Sequence, residues 1–459
     1  MKNKVWFLFS LMLIAVMVLA ACAPAATQAP VATEPPAVEE PVATEPPAVE
    51  EPVATEPPAV EEPVATEAPT EPPPAAEPVN IVLWTKEGEA DGGLQYVQAL
   101  TDAYTAAHPE VTFEVVNKDV EALREDFQTS SLAGAAPDLL WTVNDHVGPF
   151  TAAELIQPVD DLFDLSLYVE SALSTATYDG QTWGVPITNG NQLMLLYNKD
   201  LVPEAPQNTD ELIELAKTCT GGAADVYGLT FNQTEPFWLV PWLGGFNGAV
   251  FAEDGVTPTL NTPEMVATLQ FLYDLAFTEN ILPAESDYNA ADAQFKEGKA
   301  CMIINGDWSL GGYKEIFGDK LGVAPIPQVV ATGTWPAPYT SGVFFMLPIE
   351  LADAKLDAVK DFVMFATNTE NQIDIVTKLT RLPANKEALA SDVVTSDPIL
   401  AASAEAMSYG TGMPLVLEMR CNWDSMKPPM QAVLADTQTP EDAAAEMQSA
   451  SESCIAALE

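Results

Sequence analysis

The chain has 459 residues, 67 of them acidic against 18 Lys and Arg, for a formal net charge of -49. At roughly 100–200 residues per domain this allows two or three domains, and a hydrophobic fraction of 48% is enough to fill their cores. The charge excludes a nucleic-acid binder, which needs a basic face to displace counterions, and an anionic membrane surface would repel it; neutral or cationic ligands and basic protein faces remain.

Met1 to Cys22 reads as a secretory signal, with Lys2 and Lys4 before the apolar run Val5 to Leu19. The run is shorter than the about 20 residues of a membrane span. It ends in Leu19-Ala20-Ala21-Cys22, which matches the bacterial lipobox and makes Cys22 the expected lipid-attachment residue. An 11-residue unit then begins at Val31, recurs from Val42 and Val53, and decays after Val64 into Glu71-Pro72-Pro73-Pro74. Recurrent proline blocks helix and ladder hydrogen bonds, and Glu repels Glu. Residues 23–78 are therefore expected to be a disordered, extended Pro/Glu-rich tether.

From Val79 onward strands and helices alternate. Val79–Trp84, Val111–Val116 and Pro137–Thr142 read as strands, separated by helical spacing over Leu94–Ala107 and Val120–Leu132. This order predicts a parallel sheet covered by helices, with ligands beyond the carboxyl ends of its strands. Trp84 and Asp145 fall just past two such ends. A second unit of the same type follows. Its strands are Leu193–Tyr197, Val226–Phe231, Ala300–Asn305 and Leu321–Pro325, and its helices are Thr209–Thr218 and Pro263–Thr278. Another strand lies near Ser341–Leu347, and helices dominate to the end.

Much chemistry is missing. The two histidines, His108 and His146, leave little for a metal site or a Ser-His-Asp triad. There is no Gly-x-Ser-x-Gly, phosphate-binding loop or dinucleotide fingerprint. Beyond Cys22, the cysteines Cys219, Cys301, Cys421 and Cys454 allow three pairings, among which the sequence does not choose. More informative are the aromatic residues that follow strands, in Glu235-Pro236-Phe237-Trp238 and Asn305-Gly306-Asp307-Trp308, or the turn signal Gly410-Thr411-Gly412, in Arg420-Cys421-Asn422-Trp423-Asp424. A pyranose presents a C–H face to an aromatic ring and a rim of hydroxyls to carboxylates and amides, so aromatic rings beside such groups suit a sugar.

At these segments the chain resembles the extracellular solute-binding proteins of ATP-driven (ABC) sugar importers, and within them the maltose/maltodextrin-binding group. The resemblance covers Val79 to Glu459. It rests on Ile81-Val82-Leu83-Trp84, Pro137–Leu140, Leu196-Tyr197-Asn198-Lys199-Asp200-Leu201, Phe231-Asn232, Glu235–Trp238, Ala293–Lys299, Met302–Trp308, and Met413-Pro414 followed at ten residues by Trp423.

The resemblance implies an α/β, two-lobe periplasmic-binding-protein type II fold with a hinge. Lobe 1 would span about 79–188 and 328–395, and lobe 2 about 192–326 and 398–459, with crossovers near Ile187–Asn191, Ile326–Val330 and Val394–Pro398. It implies a monomeric binder without catalysis or cofactor, held outside the cell by lipid, that captures an oligosaccharide and passes it to a membrane permease. Glu235 and Asp145 would bond sugar hydroxyls, and Phe237, Trp308 and Trp423 would stack on rings. Trp238 would extend the wall, and Asn191 and Glu87 would add polar contacts from the hinge and the first-strand loop. The family's maltose binders carry Trp where Thr142 stands, Arg at His146, and Glu at Asn191 or Gln192, so another oligosaccharide, a polyol or a cationic solute is the competing cargo. A secreted glycoside hydrolase is the competing class.

Overall fold

The computed structural model describes residues 78–89, 91–221 and 226–458. The signal segment, Cys22 and the repeat tether up to Glu77 lie outside the described residues.

The first sheet begins with Val79–Thr85 (β1), Val111–Asn117 (β2) and Leu139–Val143 (β3), which pair parallel in the order β2-β1-β3. Gly93–Ala107 (α1) and Val120–Leu132 (α2) connect them. His108 ends α1, and the Asp119 side chain caps α2 by accepting the Glu121 N–H. After the short strands Ile156–Gln157 (β4) and Val185–Pro186 (β5), the chain leaves this sheet and enters Leu193–Asn198 (β6).

The second sheet joins β6 to Tyr227–Phe231 (β7), Ala300–Gly306 (β8) and Leu321–Ala324 (β9), in the order β9-β6-β8-β7. Thr209–Cys219 (α3), Pro263–Tyr273 (α4) and Tyr288–Lys296 (α5) pack around it. The helical pattern expected over Pro263–Thr278 ends as a π-helical turn, Asp274–Thr278. Strand β6 is apolar at successive positions because both faces are covered. Leu193, Leu195 and Tyr197 enter one core, and Met194 and Leu196 the other.

The chain then forms Tyr339–Thr340 (β10) and returns to the first sheet as Val343–Pro348 (β11). Helices Asp353–Ala366 (α6), Thr369–Leu379 (α7) and Pro398–Ser408 (α8) follow. Thr411–Gly412 (β12) pairs with β10, and Glu418–Leu434 (α9) and Pro440–Ile455 (α10) complete the fold. Disulfides join Cys219 to Cys301, tying the end of α3 to β8, and Cys421 to Cys454, tying α9 to α10.

Two expectations change. Neither sheet is wholly parallel: β11 runs antiparallel to β3, β4 and β5, and β6 runs antiparallel to both β8 and β9. β6 and β11 are each entered from the other sheet rather than through a helical crossover, so the rule that makes βαβ units parallel does not govern them. The second crossing also comes later than Ile326–Val330. Gln328 bridges to Asn208, Val329 is buried in the core of the second sheet, and Thr332 Oγ1 donates to the Gly245 carbonyl. The chain crosses back only around Ser341, whose N–H and C=O both pair with Gly190.

Candidate functional site

Segments that follow the carboxyl ends of β3, β7 and β8 meet in one cleft between the sheets. Phe237 stands at the centre of an aromatic wall, with its ring centroid 5.7 Å from Trp238, 6.2 Å from Trp308 and 6.3 Å from Trp423. Phe237 and Trp238 lie in a turn just after β7, Trp308 lies just after β8, and Trp423 comes from α9. The wall thus joins three distant segments. Phe237, Trp308 and Trp423 are half-buried, which leaves ring surface open, whereas Trp238 is 7% exposed and donates its indole N–H to the Ile304 carbonyl at 2.9 Å. Trp238 therefore backs the wall from the core. Tyr339, buried to the same degree, packs edge-on behind Trp423 with ring centroids 6.0 Å apart.

Polar groups border the rings. Glu235 accepts from Lys427 Nζ, which lies one helical turn beyond Trp423 on α9. Asp145, just past β3, lies beside Trp423 and brings a carboxylate from the first sheet to the same gap. Burial pushes the Asp145 carboxyl up to about 7, with the Glu121 charge adding to the shift, and its Oδ1 is buried without a protein partner. Glu121, Arg124, Arg420 and Met419 line a narrow gap beside Asp145 and Trp423, partly open to solvent. Arg420 reaches across the cleft from α9 to Glu121 on α2, and Arg124 bonds the same carboxylate at 3.1 Å. Burial would raise the Glu121 carboxyl, but the surrounding cations hold it below its usual range. His146 is buried, with Nδ1 2.8 Å from Thr142 Oγ1 and Nε2 unpartnered, and burial pushes its pKa down to about 3.

Three sequence-derived candidates sit differently from expectation. Glu87 does not offer its carboxylate to the cleft. Arg381 Nη1 lies 2.9 Å from both of its oxygens, and the indole of Trp141 donates to Oε1 at 3.2 Å. Asn191 is buried at the crossing in left-handed conformation, φ 57°, which Asn tolerates better than most residues, and its side chain donates to Ser341 Oγ at 3.3 Å. Its neighbour Gly190 needs to lack a side chain, because a Cβ there would strike the Asp307 carboxylate. Trp84 lies within β1 rather than past it, and Lys118 Nζ sits 4.2 Å over its ring.

The sequence reading missed Arg381, Tyr288, Asp91 and the Glu121–Arg124–Arg420 group. Arg381 carried a signal, as one of few bases in the folded part and set between Leu379 and Leu382. Tyr288 begins α5, five residues ahead of Ala293, where the family-like segment starts. Among the described residues no group of three or more His, Cys, Asp or Glu could hold a metal ion.

Residues 99–402 match the family of bacterial extracellular solute-binding proteins. The chain belongs to this family. The fold is shared with the maltose/maltodextrin-binding domain of Bdellovibrio bacteriovorus, solved bound to maltotriose, at TM-score 0.78 and 35% identity over 82% of this chain and all of that one. The two sheets are thus those of the two-lobe periplasmic-binding-protein fold. Among curated proteins, the maltotriose-binding protein of Pyrococcus abyssi is 28% identical over 366 residues, 78% of each chain. A maltooligosaccharide ABC transporter solute-binding lipoprotein of Streptococcus pneumoniae is 26% identical over 350 residues, 73% of this chain and 80% of the relative. As a solute-binding protein of this family the chain captures its ligand without chemical change.

Proposed function

We propose that this chain is the lipid-anchored extracellular receptor of an ATP-driven importer and that its ligand is a maltodextrin-type oligosaccharide. The observation that carries the reading is the wall of three half-buried rings, Phe237, Trp308 and Trp423, with Asp145 of the first sheet beside Trp423. Sugar rings stack on Phe237, Trp308 and Trp423, while Glu235 and Asp145 accept hydroxyl protons. Trp238 supports the wall. Asn191 and Glu87 act on the hinge and its neighbouring loop rather than on the sugar. Lobe 1 is about 79–188 with roughly 340–395, and lobe 2 is about 192–339 with 398–458, hinged where the chain passes between the sheets. The protein works as a monomer, delivers sugar to a permease, and meets the membrane only through lipid on Cys22. The lipoprotein among its relatives supports the anchor.

Calorimetry and thermal shift with maltose to maltoheptaose, trehalose, sucrose and xylo-oligosaccharides test the ligand. Maltotriose is expected to give heat and a higher Tm, because a ligand that binds only the native state stabilises it. Silence across the maltodextrins rejects the sugar class. Fatty-acid labelling that persists in Cys22→Ser rejects the anchor.

The second reading keeps the fold and changes the cargo. It is favoured by Thr142 and His146, which bond each other at 2.8 Å on the first-sheet side of the site, where the family's maltose binders carry Trp and Arg. Heat from a polyol or another oligosaccharide, with none from maltodextrins, would select it.

A further inference from the structure

Trp308 is held at two points, one from each side of the cleft. Its carbonyl accepts from Arg381 Nη2 at 3.2 Å. Its indole Nε1 donates to the hydroxyl of Tyr288 at 3.0 Å, and that hydroxyl lies 3.1 Å from Asp91 Oδ2. The direction of this chain is forced. An indole N–H only donates, so Tyr288 accepts from Trp308 and spends its single proton on Asp91. Burial holds the Tyr288 phenol well above its usual range, so that proton is in place. Tyr288 opens α5, where the Asp287 side chain caps the helix by accepting the Ala290 N–H at 2.8 Å. Asp91 sits on the other side of the cleft, in the loop between β1 and α1. It is also 3.6 Å from Lys296, which pairs with Asp292 at 2.9 Å.

Trp308 and Tyr288 come from the second sheet, and Asp91 from the first. The last bond of the chain therefore exists only when the cleft is closed. In a chain of hydrogen bonds each member polarises the next, so loss of the Asp91 acceptor weakens the hold of Tyr288 on the indole. We propose that Tyr288 is a positioning residue for the Trp308 platform and that Asp91 makes that positioning conditional on closure. When the cleft opens, the indole is released from its fixed tilt. When the first-sheet loop returns, the ring is locked against the ligand. The proposal deepens the binding role proposed above for Trp308 and rests on that reading only for its effect on affinity.

The test uses the full chain labelled with 5-fluorotryptophan, with the Trp308 resonance assigned by its loss in Trp308→Phe. In Tyr288→Phe and in Asp91→Ala this fluorine resonance is expected to shift or broaden, with the other tryptophan resonances unchanged. In Asp91→Asn it is expected to stay, because the amide oxygen still accepts from Tyr288 while the charge toward Lys296 is lost. Maltotriose affinity should fall by about three- to tenfold in Tyr288→Phe and Asp91→Ala, the range for one lost hydrogen bond. A Trp308 resonance unmoved by Tyr288→Phe overturns the proposal even if the variant melts earlier. A resonance that moves as much in Asp91→Asn as in Asp91→Ala also overturns it, because the contact would then be ionic. If the wild-type chain binds no maltodextrin but its Trp308 resonance responds as described, the sugar reading fails and the positioning role stands.

Discussion

Glu87 and Arg381, 294 residues apart in the chain, form a buried ion pair in which Nη1 lies 2.9 Å from both carboxylate oxygens. Each side chain is 2% exposed. Burial alone would raise the Glu87 carboxyl, but the Arg381 and Lys86 charges overcome it and hold the pKa at about 2. Because Arg381 also bonds the Trp308 carbonyl, the pair ties the first-strand loop to the base of the aromatic wall.

Breaking this pair is expected to unfold the protein more easily. Glu87→Gln leaves a buried guanidinium without its counter-charge, a change that costs about 3–5 kcal/mol. The pH dependence has a fixed sign. A carboxylate depressed in the folded state contributes its stability in full above its unfolded-state value of 4.5, and loses it as pH falls toward about 2. Thermal melts from pH 6 to 2 should show wild type converging on Glu87→Gln across that window. A constant gap between the two would contradict the assignment.

The three open rings should differ from the one behind them. Trp308→Ala, Phe237→Ala and Trp423→Ala each remove stacking surface, and each should weaken maltotriose binding by about tenfold or more if they are central anchors. Trp238→Ala instead removes a core ring and a hydrogen bond to Ile304, so its cost should be read mainly as about 3–5 kcal/mol of stability. Calorimetry and denaturant unfolding on the same four variants separate the two effects.

Asp145 should report binding as a proton. Its carboxyl is pushed up to about 7, so it is partly protonated at neutral pH. A ligand hydroxyl that donates to it favours the ionised form and lowers that pKa. Binding near pH 7 should therefore release a proton, visible as a dependence of calorimetric heat on buffer ionisation enthalpy and absent in Asp145→Asn. The same raised pKa means the group's contribution to stability is full below 3.8 and is lost as pH rises to about 7.

The disulfides should contribute unequally. Cys219–Cys301 closes a sequence separation of 82 residues and Cys421–Cys454 one of 33. Loop-closure entropy favours the longer loop by about 0.8 kcal/mol. Replacing the first pair by Ala should lower the Tm more than replacing the second, and a reversed order would show that local packing outweighs chain entropy.

Local pattern carried much of the fold. The helix expected over Val120–Leu132 has those bounds, and the strands near Val79, Val111, Leu193 and Ala300 each agree within a residue or two. Period-2 and period-3.6 apolar spacing is set by which face each element buries, and burial acts on neighbours along the chain. Strand direction was less legible, because β6 and β11 are oriented by where the chain crosses between sheets and not by their own residues. Phe237, Trp308 and Trp423 could be named as a group because each sits in a motif next to a strand end or a turn.

The sequence by itself determined the element order, the two α/β units, the aromatic segments and the absence of familiar catalytic motifs. The tertiary structure decided which cysteines pair, that Glu87 is spent on Arg381, that Trp238 backs the wall, and that Tyr288 and Asp91 hold Trp308. The division has a physical cause. Helix and strand periodicity is a property of short stretches, whereas ion pairs and hydrogen-bond chains depend on which distant segments the folded backbone brings within about 3 Å of one another.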